Sequence, residues 1–277
     1  MIEGLVYNKE TDKYYIRDLE VSITNLCNLV CNQCGFFIPN QRIPYIEDSI
    51  KEITEGIKIL KNLGISIYRF PILGGEPTID RDLLERAIKS FRTVNNFDIL
   101  EIVTNGLIPQ GLTLNVLRLI DELTITLYFK SNELISLWQK WLERQAPNVK
   151  FTIRQHDWDY QNGDYTVPDL KAQKMYNDCW YRKHSTTIER KRLFVCSRIA
   201  KCGNDQEGLI LNSELTFRDI EAFLNSEKFF PSCKKCVPLM GFGKIMPGQQ
   251  PDCRIVPLID KAIKYLKEVL NENGGKN

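Results

Sequence analysis

Three cysteines, Cys27, Cys31 and Cys34, stand as C-x3-C-x2-C directly after the apolar run at 19–23. Thiolates this close together can hold three irons of a 4Fe-4S cluster and leave the fourth open to a small chelating ligand. Further on, a strand-like segment ending at Leu73 runs into Gly74-Gly75-Glu76-Pro77. Paired glycines let backbone carbonyls approach a ligand that a side chain would hold off, and an ammonium group seeks such acceptors. The competing uses of the three cysteines are a zinc knuckle or buried thiols packed as small hydrophobes. Zinc takes a fourth ligand nearby, and Gly35, Phe36, Phe37, Ile38 and Pro39 supply none.

A second set follows: Cys179, Cys196, Cys202, Cys233, Cys236 and Cys253. A hairpin expected at about 186–196 leads into Cys196, and Cys233 and Cys236 form a C-x2-C pair. Four such thiolates suit a tetrahedral metal or an iron–sulfur cluster equally well. A basic run, Arg182, Lys183 and His184 followed by Arg190, Lys191 and Arg192, reads as a solvated face or a phosphate site.

The elements that must position these residues show in the periodicity. From 19 to about 155, apolar strands alternate with amphipathic helices, the pattern of a parallel α/β sheet or barrel. Strands are expected at 19–24, 66–73, 98–103, 122–128 and 149–154, with helices near 48–63, 81–93, 112–121 and 131–145. Gly64 is placed to end the first helix. Ligand sites in such folds gather at the carboxyl ends of the strands, and there stand the cysteine loop, Gly74–Pro77, Thr104-Asn105-Gly106, Thr126, Tyr128 and Arg154. A polar stretch after His156, holding Gly163 and Pro168, marks a boundary between a barrel domain at 1–160 and a cysteine-rich α+β domain at 161–277. That second domain ends in an amphipathic helix at about 257–270.

Composition narrows the partners. A net charge of +2 over 277 residues does not suit a polyanion, so nucleic acid is not the expected substrate. No segment reads as a signal peptide or a membrane span, so a cytoplasmic protein without a membrane partner is expected. Nine cysteines in a reducing compartment point to metal ligands or reactive thiols before disulfides.

The pair of motifs resembles the radical S-adenosylmethionine (radical SAM) superfamily, whose three-cysteine loop follows the first barrel strand and whose G-G-E-P-like segment ends the second. The resemblance implies a partial (β/α) barrel, a SAM-binding 4Fe-4S cluster on Cys27, Cys31 and Cys34, and S-adenosyl-L-methionine as cofactor. Its methionine would be lined by Gly74, Gly75, Glu76 and Pro77. Gln33 departs from the family, which usually has an aromatic residue there, and leaves its backbone to face adenine. Thr104 and Asn105 match a T-N-G that ends the third strand in many members, and Thr126 stands where a serine often contacts the cofactor ribose. Arg154 would pair with the methionine carboxylate or with substrate, and Tyr128 would act around proton removal.

The second cysteine set resembles the C-terminal extensions called SPASM and twitch, which carry auxiliary 4Fe-4S clusters. SPASM would need further cysteines soon after Cys236, where Pro238 to Phe242 stand instead, and a glycine where this chain has Lys191. Twitch is therefore the expectation, with Cys179, Cys196, Cys233 and Cys236 on one second cluster and Cys202 a spare thiol or a substitute ligand. The reaction implied is hydrogen abstraction by a 5'-deoxyadenosyl radical from a small molecule, ending in two-electron oxidation of a sugar or aminocyclitol alcohol. A flavodoxin- or ferredoxin-type protein would donate the electron. An epimerase with Cys253 as hydrogen-atom donor is the alternative. Peptide maturation ranks third, because eighteen residues before the barrel do not hold a leader-binding domain. A zinc-stabilised binding protein is the non-enzyme reading, and it leaves Gly74–Pro77 unexplained.

Overall fold

The computed structural model describes residues 4–40, 49–155, 157–202, 204–246, 248 and 255–272. Its strands are β1 (Leu5–Asn8), β2 (Lys13–Ser22), β3 (Ile65–Leu73), β4 (Phe97–Thr104), β5 (Glu122–Thr126), β6 (Lys150–Arg154), β7 (Trp158–Asp159), β8 (Thr186–Glu189), β9 (Arg192–Phe194), β10 (Leu209–Ile210) and β11 (Lys244–Ile245). The helices are α1 (Ser49–Asn62), α2 (Arg81–Val94), α3 (Leu114–Leu117), α4 (Asn132–Gln145), α5 (Asp169–Asn177), α6 (Tyr181–His184), α7 (Ser197–Lys201), α8 (Phe217–Leu224) and α9 (Ile255–Glu272).

Strands β2 to β6 pair in sequence order and in parallel, as the alternation of strands and helices requires. On the other side of β2 the sheet gains a sixth parallel strand, β8, with Leu19 opposite Thr186 and Val21 opposite Ile188. Antiparallel β9 and β10 extend it further, and β1 pairs antiparallel with β2. The hairpin expected at 186–196 is thus β8–β9, and it lies in the same sheet as the first five parallel strands. A separate two-stranded ribbon joins β7 to β11.

The first parallel strand starts already at Lys13, because the alternation that buries Ile16 while leaving Lys13 and Arg17 exposed is a half-buried strand pattern. The helix expected at 112–121 contracts to Leu114–Leu117, although Leu112, Val116, Leu117 and Ile120 are all buried. Burial there is reached without a long helix. The expected strand at 122–128 stops at Thr126, which leaves Tyr128 on the loop beyond.

Helix faces supply the core against the sheet: Ile53, Ile57 and Leu60 on α1, Leu84, Ala87, Ile88 and Phe91 on α2, and Leu134, Trp138 and Leu142 on α4. Local signals set their ends. Gly64, at φ +75°, closes α1 as a left-handed residue that glycine adopts without strain. Asp80 caps α2 by accepting from the Leu83 N–H at 2.9 Å, and Asn95 ends the helix at φ +48°. The last helix packs on α4, tied by Lys267 to Glu133 at 2.6 Å and by Arg144 to the Leu270 carbonyl at 3.2 Å. Among the described residues no helix is long and apolar enough to cross a membrane.

Asp80→Ala removes the cap of the helix that follows the glycine segment, and its expected cost is about 1 kcal/mol, read as a lower denaturant midpoint with unchanged slope.

Candidate functional site

All five sequence-adjacent parallel strands end at one edge, and a cavity of about 330 Å³ opens there. Cys27, Cys31 and Cys34 are on its wall, with Gly74, Gly75, Glu76, Thr104, Asn105, Thr126, Tyr128 and Arg154. Segments far apart in sequence therefore meet at the carboxyl edge of the sheet, as the strand periodicity requires.

Backbone contact joins the cysteine loop to the glycine segment. The Gly75 N–H donates to the Thr24 carbonyl at 2.8 Å, and the Glu76 N–H donates to Leu26 at 2.7 Å. A Cβ on Gly74 would come within 2.4 Å of the Thr24 oxygen, and one on Gly75 within 2.0 Å of the Leu26 oxygen. Gly74 also holds φ +146°, outside the range of ordinary side chains. The glycines are thus required by the close passage of two chain segments, besides whatever they offer a ligand.

Glu76 is a brace. Its Oε1 accepts from the Thr78 N–H at 3.0 Å and from the hydroxyls of Thr78 and Thr104, each at 2.7 Å, while Oε2 accepts from the Asn105 N–H at 2.7 Å. Burial pushes its carboxyl up, and those four donors oppose the shift. Asn105 in turn donates to Asn28 Oδ1 at 2.7 Å, inside the cysteine loop. Glu76, expected to line the methionine, is on the cavity wall, and its carboxylate fastens the turn after β3 to the end of β4.

The thiols suit iron. The Leu29 N–H lies 3.4 Å from Cys27 Sγ, and the N–H groups of Phe36, Phe37 and Ile38 point at Cys34. N–H donors of this kind tune cluster sulfurs. Burial pushes both thiols up, so they become thiolates only beside a cation. Among the described residues no three His, Cys, Asp or Glu side chains converge on a single-ion site, whereas a cubane receives its thiolates at separate corners.

Arg154 donates from Nε to Thr126 Oγ1 at 2.7 Å, so these two predicted residues act as a pair at the ends of β6 and β5. Tyr128 packs edge-on against Trp158, ring centroids 4.8 Å apart, and burial pushes its phenol well up. Gln33 is not on the wall: its Oε1 accepts from the N–H groups of Gln161 at 2.9 Å and Asn162 at 2.7 Å, which ties the cysteine loop to the segment after β7. Pro77 is buried at the start of a short 3-10 turn. Cys253 lies outside the described residues.

The second set also converges. Cys179, Cys196, Cys202, Cys233 and Cys236 line one cavity, with Arg182 and Arg198. The Cys236 N–H donates to Cys233 O at 3.2 Å, the same turn that Cys34 makes with Cys31 at 3.2 Å. Burial raises all five thiols, Cys233 to about 12. Cys202, the exposed thiol of the five, shares this wall with the four expected ligands. None of the eight described cysteines forms a disulfide. The basic run is not a single patch: Lys191 is exposed, whereas Arg182 is 6% exposed and stacks 3.7 Å from the Tyr176 ring, His184 pairs with Asp18 at 2.6 Å, and Arg190 pairs with Asp205 at 2.7 Å.

Sequence reasoning missed Glu20. It is on β2 and lines the first cavity, with Oε1 accepting from the Ser185 hydroxyl at 3.2 Å and with Ser197 as a second hydroxyl partner. Its Oε2 is buried without a hydrogen-bond partner. Burial pushes its carboxyl up to about 7 against those two hydroxyls. The available signal was an acid flanked by Leu19 and Val21 at the apolar end of its strand.

No protein-family model matches the chain. Curated relatives include a GTP 3',8-cyclase of Actinobacillus pleuropneumoniae (strain L20), 36% identical over 108 residues, 38% of this chain and 29% of that protein. The molybdenum cofactor biosynthesis protein 1 of Drosophila melanogaster is 30% identical over 112 residues, 39% of this chain and 19% of that protein. These matches support a radical SAM superfamily member, as the two motifs imply. The chain spans less than a third of the length of these two relatives. Solved structures similar to this chain include native anSMEcpe with bound AdoMet, at TM-score 0.45 and 14% identity over 92% of this chain and 99% of that one. BtrN in complex with AdoMet and 2-DOIA gives TM-score 0.45 and 12% identity over 80% of this chain and 87% of that one.

Glu76→Ala strands the Thr78 and Asn105 N–H groups without acceptors, and at about 1–3 kcal/mol per orphaned group the thermal midpoint is expected to fall sharply. Glu76→Gln should recover part of the loss, because the two threonine hydroxyls can turn to accept from the new amide. Equal midpoints for the two variants would remove the brace.

Proposed function

We propose that this chain is a radical SAM oxidoreductase that converts an alcohol carbon of a small polyol, such as a sugar or aminocyclitol, to a ketone. The observation that carries the reading is the adjacency of two thiol-lined cavities, with Glu20, whose Oε2 has no hydrogen-bond partner, on the wall of the first. Cys27, Cys31 and Cys34 would hold the SAM-binding cluster, and four of the five thiols at 179, 196, 202, 233 and 236 an auxiliary one. When bound, the first cluster with S-adenosylmethionine supplies a 5'-deoxyadenosyl radical, and the second supplies a one-electron acceptor.

The protein's own residues do the rest. The Gly74–Gly75 backbone and the Arg154–Thr126 pair are set at the strand ends to receive polar groups of the cofactor. Trp158 and Trp180 line the same wall and shield the reacting carbon from water. Glu20 takes the hydroxyl proton in place of Arg154 or Tyr128, because an arginine stays protonated and the Tyr128 phenol is held protonated by burial. Ser185 holds Oε1, which leaves Oε2 for a substrate hydroxyl or ammonium. A base near neutrality matches that work. The GTP 3',8-cyclase alignment covers 38% of this chain, too little to carry a substrate across.

Anaerobic purification with iron and sulfide counts tests the assignment. Roughly eight irons per chain and a change in the reduced-cluster resonance spectrum on adding S-adenosylmethionine are expected; two zincs per chain would sink it. For Glu20→Gln, hydrogen transfer from a deuterated polyol into 5'-deoxyadenosine is expected to persist while ketone falls by about a hundredfold or more. In the unsubstituted enzyme ketone formation should rise with pH through about 7, where Glu20 becomes ionised, and the variant should lack that rise.

A further inference from the structure

Arg198 is on the wall of both cavities. It is 6% exposed. Its Nη1 donates to the Gly35 carbonyl at 3.2 Å, next to Cys34, and to Gln161 Oε1 at 2.7 Å; Nη2 donates to the Gln161 carbonyl at 2.8 Å. The guanidinium carbon lies 4.9 Å from the Phe37 ring, and the side chain shares the wall of the second cavity with Cys236. One side chain thus holds the cysteine loop of the first site and lines the cavity of the second.

Charge makes this placement informative. An arginine cannot shed its proton in a protein, and a buried charge left without a counter-charge costs several kcal/mol. Among the described residues no carboxylate pairs with Arg198, whose oxygen partners are carbonyl and amide groups. Arg182, on the far wall of the second cavity, is in the same position: its partners are the Tyr176 and Ser226 carbonyls, and its Nε is buried without a partner. Lys201 on the same short helix as Arg198 shows the contrast, since its ammonium is matched by Glu189 at 2.8 Å. Two buried guanidinium groups facing five thiols need an anionic occupant, and a cluster ligated by four thiolates carries net negative charge.

We propose that Arg198 is the electrostatic link between the two iron–sulfur sites, a shared counter-cation that holds up the reduction potential of the auxiliary cluster while it fixes the loop bearing the SAM-binding one. This rests on the two-cluster reading of the preceding subsection. Cluster potentials respond to net charge and to hydrogen bonds at the sulfurs, and Arg198 brings a permanent positive charge to the wall it shares with Cys236. Arg182 contributes charge at the second site alone. The two arginines therefore differ in reach, and Arg198 is a positioning residue with no direct part in bond breaking.

Potentiometric titration followed by electron paramagnetic resonance separates these roles without any substrate. In Arg198→Met the auxiliary cluster's ratio of reduced to oxidised form at fixed potential is expected to fall at least tenfold, which is about 59 mV for one electron. The SAM-binding cluster should shift in the same direction by a smaller amount. Arg198→Lys should restore most of the auxiliary potential, because it returns the charge without the fork of donors. Arg182→Met should lower the auxiliary potential and leave the SAM-binding cluster unchanged. If Arg198→Met sheds the auxiliary irons, the comparison of Arg198→Lys with Arg198→Gln decides on the same scale. A variant that keeps roughly eight irons and unshifted potentials overturns the link and leaves the two-cluster assignment intact. A parent protein with only one reducible cluster overturns that assignment, and the link with it.

Discussion

The site depends on one close passage of backbone, where Gly74 and Gly75 run against Thr24 and Leu26. Two hydrogen bonds and the absence of two side chains bring the end of β3 onto the exit of β2. The cysteine loop, which has little regular structure of its own, is anchored there at its base. Glu76 then extends the anchorage sideways by accepting from Thr78, Thr104 and Asn105, and Asn105 reaches back to Asn28 within the loop. The result is a closed circuit of strand ends. An irregular loop is positioned by regular elements because each of its polar groups is answered by one of theirs.

The second half of the chain is joined to this frame by the sheet itself. Strand β8 pairs in parallel with β2, so the hairpin leading into Cys196 starts beside the strand that carries the first cysteine loop. The short α7 that follows delivers Ser197 to Glu20, Arg198 to both cavities and Lys201 to Glu189. Three consecutive functions thus fall within one turn and a half of helix. This explains why buried charge is concentrated here: a short helix placed between two thiol-lined cavities has little solvent to face, and its long polar side chains must find partners inside.

Much of the first site was legible in the chain. The C-x3-C-x2-C spacing, the glycine pair and the strand periodicity together placed the three thiols, Thr104, Asn105, Thr126 and Arg154 at one edge, and they do share one cavity. Glu76 was read as a ligand contact, and its four protein donors make it a brace. Gln33 departs from the usual aromatic residue, and its side chain latches Gln161 and Asn162. Neither role has a local pattern, because Glu76 needs Thr104 and Asn105 from the next strand besides nearby Thr78, and the partners of Gln33 are more than a hundred residues away. Glu20 was passed over for the same reason: an acid at the apolar end of a strand shows only that something must answer it, not that two serines do.

What the sequence determined by itself was the order of elements and the chemistry each strand end could offer, since period, capping residues and cysteine spacing are local properties of the chain. Asp80, Asn95 and Gly64 set helix ends within a residue or two of where periodicity placed them. Only the tertiary structure decided that β8 joins the sheet beside β2, that Cys202 shares a wall with the other four thiols, and that Arg182 and Arg198 are buried beside them instead of solvated. Those outcomes turn on which distant surfaces come together, and burial of a charged group is set by its neighbours in space, which no spacing along the chain encodes.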